Sequence, residues 1–103
     1  MARLGILAAL LLLASCEQPA ADGYSFGTPT WVRTELRVKV VLVPSLEELR
    51  RIGPKVEGRE LHAFAQISPT GECTIYKVDS RKHYAPEWDG HELNHCIYGE
   101  WHR

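Results

Sequence analysis

From Trp31 to Val43 apolar and polar side chains alternate along the chain. Leu36, Val38, Val40 and Leu42 fall on one side, and Arg37 and Lys39 on the other. A period of two is that of a β-strand, and Val41 and Val43 make both faces apolar near its end, as in a central strand. The period changes at Ser45. Ser45 and Glu48 have capping-box spacing, Leu46, Leu49 and Ile52 lie near one helical face, and Gly53-Pro54 stops the element, so a short helix is predicted. Two further apolar stretches, LHAFAQI and CTIYKV, lie between Leu61 and Val78. They are joined by Ser68-Pro69-Thr70-Gly71-Glu72, a turn-rich link that predicts a β-hairpin. A last helix is predicted from Pro86, suited to a first turn, to Tyr98, with Gly99 as its stop; Asp89 and Glu92 offer a second start in capping-box spacing. Strand, helix, hairpin, helix is an α+β order, with helices packed on a small antiparallel or mixed sheet in one domain over residues 31–103.

The residues before Trp31 follow no such period. Arg3 precedes an almost purely apolar run, Leu4 to Leu13, which has the length of a signal-peptide core and is too short to span a bilayer. The run ends in Leu13-Ala14-Ser15-Cys16, which resembles the bacterial lipobox. The resemblance implies that residues 1–15 are a lipoprotein signal peptide and that Cys16 carries a diacylglycerol, making the lipid bilayer a partner. Glu17, after the cysteine, is similar to the residue found in outer-membrane lipoproteins, so the expected location is the cell envelope, on the outer membrane facing the periplasm. EQPAADGYSFGTPT follows, rich in Pro, Gly and small residues, and residues 16–30 are expected to form a flexible tether with Tyr24 and Phe26 solvated.

Composition narrows the classes. The net charge of the 103 residues is −1 and no basic run stands out, so no nucleic-acid partner is expected. A chain this small leans on a disulfide or a metal to supplement its core. Cys73 and Cys96 remain once Cys16 is lipidated, and outside the cytoplasm such a pair is expected to be bonded. The bond closes a loop of about 24 residues, worth about 3 kcal/mol in the chain-entropy picture. The alternative, Cys96 as a fourth metal ligand beside His95, is awkward because neighbours on a helix diverge by about 100°.

The chemistry-bearing residues are His91-Glu92-Leu93-Asn94-His95. Residues four apart on a helix are separated by about 40° around the axis and about 6 Å along it, so two imidazoles so placed can meet one Zn²⁺. Glu92 projects about 100° from His91, outside the metal's own shell, where it can accept a proton from a water on the metal. Gly90, Leu93 and Ile97 have the spacing of a core-facing stripe, which would turn the histidines away from the sheet. A third ligand is still required.

The sequence continues to His102 as HELNHCIYGEWH, which resembles the zincin metallopeptidases and, within them, the metzincin signature HExxHxxGxxH with one extra residue before the glycine. The resemblance implies a small zincin-like core, His91, His95 and His102 as zinc ligands, and Glu92 as the general base of a peptidase acting on a peptide or protein. An unbroken helix would carry His102 roughly 16 Å past His91, so chelation requires the chain to turn back at Gly99. Zincins place a substrate-pairing edge strand before the motif helix, and CTIYKV holds that position. Tyr76, Tyr84 and Tyr98 are expected in core or rim packing, the alternative being that one supplies an oxyanion-stabilising hydroxyl, a role tyrosine plays in some zincins. His62 and His83 are expected at the surface or in hydrogen bonds. The two functions in view are a membrane-anchored zinc hydrolase and a non-catalytic lipoprotein stiffened by a structural zinc or by the disulfide alone.

Overall fold

The structure is a computed structural model and describes residues 20–56 and 58–103. The segment 1–15, expected as a signal peptide, and Cys16, expected to be lipidated, lie outside the described residues. In chain order the elements are β1 (Arg37–Val43), α1 (Leu46–Ile52), β2 (Ala63–Ile67), β3 (Glu72–Val78) and α2 (Pro86–Tyr98). This is the α+β order expected. Ser45 caps α1 as its spacing predicts, its hydroxyl accepting the Glu48 N–H at 3.1 Å. No helix among the described residues is long and apolar enough to cross a membrane.

The sheet is mixed, in the order β1-β3-β2, with β1 parallel and β2 antiparallel to β3. Strand pleating divides its core into two clusters, one on each face. On one face Val43, Phe64 and Val78 pack around Leu49 of α1. On the other, Cys73 and Ile75 pack against Cys96 of α2, with Ala65 and Ile67 beside them. The two helices therefore cover opposite faces. Cys73 and Cys96 are bonded, with Cα atoms 5.7 Å apart, so α2 is stapled to the central strand.

Three expectations are corrected. β1 is an edge strand, and its apolar row Val38, Val40 and Leu42 is 40–54% exposed, because α2 lies over β2 and β3 and leaves that third of the face open. CTIYKV is the central strand, paired on both sides, so it has no free edge for a substrate; AFAQI is the edge strand beside α2. The buried side of α2 is His91, Glu92 and Cys96, whereas Leu93 is 41% exposed and Gly90 faces open space. Leu93, about 60° around the helix from Cys96, lies at the margin of the buried face, beside the uncovered row Val38, Val40 and Leu42.

The segment expected as a tether is part of the domain from Asp22 onward. Thr30 N–H donates to the Glu100 carbonyl at 2.9 Å, Arg33 N–H to that of Ile97 at 2.7 Å, and Gly27 N–H to that of Trp101 at 2.6 Å. Phe26 forms a β-bridge with His102 and stacks on Trp101 at 5.4 Å between ring centres. Backbone pairing with the turn after α2, together with these aromatic contacts, outweighs the freedom that the Pro- and Gly-rich composition suggests.

Candidate metal centre

α2 ends where its sequence says it should. Gly99 takes φ 68° and ψ −127°, a conformation side chains resist, while its N–H still donates to the His95 carbonyl at 2.9 Å. A Cβ at this position would also meet the Trp31 ring at 2.9 Å. The chain reverses, and His102 returns to the end of the helix. Ring centres of His91, His95 and His102 lie 4.9–5.0 Å from one another. One ligand atom from each lies within 4.8 Å of the others, so these three histidines could hold a metal ion. His91 is buried, 5% exposed, and the other two are half-buried.

The hydrogen bonds of the rings say which nitrogens face inward. His95 Nδ1 lies 2.7 Å from the Gly99 carbonyl oxygen, which can only accept, so Nδ1 carries the proton and Nε2 a lone pair. His91 Nδ1 lies 2.8 Å from Oδ2 of Asp22, whose carboxylate likewise accepts, leaving His91 Nε2 a lone pair as well. These two Nε2 atoms are 3.2 Å apart. Two lone pairs at that distance repel unless a cation or a shared proton lies between them. At His91 burial lowers the proton affinity, against the opposing hydrogen bond to Asp22, and the neighbouring His95 adds to the lowering. Burial, with the charges of His95 and His91, acts the same way at His102. With bonds of about 2.0–2.1 Å, two nitrogens of a tetrahedral site stand about 3.3 Å apart, close to the separation seen here. The donor set and its spacing fit a metal ion.

Glu92 is buried, 6% exposed, and is not one of the three grouped donors. Burial pushes its carboxyl up to about 8, against the opposing effect of a hydrogen bond from the Ala65 backbone N–H of β2. It stands between the motif helix and the edge strand, holding a proton near neutral pH.

Around the histidines are residues that no pattern in the sequence had marked. The Tyr24 ring lies 4.6 Å from that of His91 and 4.3 Å from that of His102, with the Arg59 guanidinium 4.4 Å over its centre. Trp101, 5% exposed, lies 5.0 Å from His91 and His102 and 5.7 Å from His95. Tyr76, Tyr84 and Tyr98 lie away from the three histidines, as the packing expectation has it for Tyr76 and Tyr98. Tyr76 stacks on Phe64 at 4.5 Å on the sheet face opposite α2, Tyr84 is 75% exposed, and Tyr98 packs edge-on against Phe26 at 5.0 Å. His62 stacks on Trp88 at 5.0 Å and lies 6.0 Å from His83, apart from the three-histidine group. Cys96 is held in the disulfide and is no ligand. The only sequence signal for Asp22 and Tyr24 was an Asp-Gly turn followed by an aromatic residue, which is far too common to point at a site. Comparison of the chain with family models, with curated proteins and with solved structures finds no match.

Proposed function

We propose that this protein is a zinc-dependent hydrolase of the peptidase type, similar in its motif to the zincins and anchored to a bacterial envelope membrane through lipid on Cys16. The observation that carries the reading is the pair of Nε2 lone pairs facing each other at 3.2 Å, with His102 completing the group. Three imidazoles with a fourth position left to water or substrate are the donor set of catalytic zinc sites, and imidazole suits zinc. Zinc held there would acidify a water and polarise the substrate carbonyl. His91, His95 and His102 hold the ion and leave their Nδ1 or backbone contacts to fix the rings. Once ionised beside a bound cation, the Glu92 carboxylate would take up the proton of the attacking water and return it to the leaving amine. The substrate is a peptide or protein, approached along the edge strand β2.

A second reading is favoured by one observation. The Tyr24 ring covers His91 and His102. A covered three-histidine centre serves equally as a structural zinc site in a non-catalytic lipoprotein. Metal analysis and peptide-hydrolysis assays on the chain and on Glu92→Gln separate the two. A hydrolase keeps one zinc per chain in both proteins and loses turnover in the variant by about 100-fold or more. Zinc retained with no turnover in either protein supports the structural reading, and no zinc in either removes both.

A further inference from the structure

The geometry points to Asp22 as the positioning residue of the metal centre: it fixes the tautomer of His91, and with it which nitrogen faces the ion. The inference rests on the metal-centre reading above and adds a residue from outside the helical motif, separated from His91 by 69 positions. Asp22 sits in a turn in which Gly23 N–H donates to the Ala20 carbonyl at 2.8 Å. Both of its oxygens are in use. Oδ1 accepts the Tyr24 N–H at 3.0 Å and Oδ2 faces His91 Nδ1 at 2.8 Å. The two side chains are 7% and 4% exposed, so water does not compete for the contact.

The consequence is specific. A histidine ligates through one nitrogen while the other donates to a fixed acceptor, and that acceptor sets both the tautomer and the ring plane. His95 has the Gly99 carbonyl for this purpose, supplied by its own helix end. His91 has no backbone carbonyl on Nδ1, and Asp22 supplies the acceptor from the N-terminal segment. The centre is therefore assembled from both sides of the domain, and metal affinity depends on the docking of residues 22–24.

Asp22→Asn is the sharp test, since it keeps shape and volume but offers one acceptor in place of two. With the amide oxygen on Tyr24 N–H, the NH₂ group faces His91 Nδ1 and drives the ring proton to Nε2, the atom that must be bare to bind metal. Long-range ¹H–¹⁵N spectra of the metal-free chain read the tautomer directly, and titration with Co²⁺ or Zn²⁺ reads affinity. The expected result is a proton on His91 Nδ1 in the wild type, a proton on Nε2 in D22N, and metal affinity lower in D22N by about 10–100-fold. A wild-type His91 protonated on Nε2 overturns the inference, and so does a D22N variant with unchanged tautomer and affinity. The wild-type spectrum decides the first point even if the variant fails to fold. A wild type that binds no metal yet shows the Nδ1 proton sinks the metal-centre reading and leaves the tautomer assignment standing.

Discussion

Replacing Glu92 by Gln tests the electrostatics of the site without any metal. Folding raises the carboxyl from 4.5 to about 8, chiefly by burial. The folded chain thus binds this proton more tightly than the unfolded chain does. The stability it contributes is complete below about pH 4.5 and is lost as pH rises toward 8. At about 1.4 kcal/mol for each tenfold change, the loss relative to acid pH is about 3 kcal/mol at pH 7 and levels off near 5 kcal/mol above pH 8. Glutamine keeps the shape and can accept the Ala65 N–H, but it has no proton to lose. In chelator, then, E92Q should match the wild type near pH 4.5 and exceed it by about 3 kcal/mol at pH 7, which is about 2 M in urea midpoint for a domain of this size. His91 and His102 act in the opposite sense. Burial lowers both, so the folded chain favours their neutral forms, and that contribution is lost as pH falls below 6.5. Because both proteins carry these histidines, the difference between the two curves isolates Glu92. Urea unfolding at half-unit steps from pH 4.5 to 8.5 measures it. A difference curve that is flat, or that favours the wild type at pH 8, means the carboxylate is not buried as described.

Three further outcomes follow from the fold. Reducing the Cys73–Cys96 bond, or replacing both cysteines by Ser, should lower stability by about 3 kcal/mol and loosen metal binding, read by urea midpoint and by quenching of Trp101 on Cu²⁺ addition; an unchanged midpoint would show that the bond constrains nothing. Gly99→Ala places a side chain at φ 68° and against the Trp31 ring, so it should destabilise the chain by about 1–3 kcal/mol and weaken metal binding through a displaced His102, whereas Gly90→Ala, with nothing within 4 Å, should do neither. If Cys16 is lipidated, the chain from Cys16 to Asp22 reaches at most about 20 Å, so the centre acts close to the bilayer. Inserting a flexible segment before Ala20 should then reduce hydrolysis of vesicle-bound peptides relative to soluble ones, and equal rates on both would refute the short reach.

What the sequence disclosed was local. The helix Pro86–Tyr98, the facing pair His91 and His95, and the reversal at Gly99 depend on residues within a few positions of one another, where helical geometry and glycine's freedom act directly. The disulfide was legible because Cys73 and Cys96 are the two cysteines that follow the lipobox-like Leu13-Ala14-Ser15-Cys16. What it concealed was long-range. Val38, Val40 and Leu42 read as a core face, yet β3 rather than β1 takes the centre of the sheet, and no periodicity encodes strand order. Leu93 read as core for the same reason, and it is 41% exposed because it lies beside that uncovered row. The segment from Asp22 to Thr30 has the composition of a linker. Its docking depends on single partners, Asp22 on His91 and Phe26 on Trp101, which leave no trace in a window of neighbouring residues.

The places where this chain breaks the rules of a well-packed core converge on one point. A carboxyl with its proton affinity raised to about 8 is buried next to His91 in the sequence, and the Nε2 atoms of His91 and His95 face each other at 3.2 Å. Nearby, Gly99 adopts a conformation that other residues avoid. Conflicts of this kind collect at functional sites, where something absent from the sequence resolves them. A cation held by the three histidines would take up both lone pairs and, within electrostatic reach of Glu92, would favour its ionised form. Metal binding and folding must then be coupled: at 1,000 times its dissociation constant an ion that binds only the folded chain adds about 4 kcal/mol. Part of that gain comes from relief of the buried carboxylate. E92Q, already relieved, should therefore be stabilised less at the same ion concentration, through a weaker affinity for the ion and not through any loss of the three ligands. Measuring affinity and unfolding on the same two proteins keeps the two contributions apart. Equal affinity in both would place Glu92 beyond electrostatic reach of the ion and remove it as the proton acceptor.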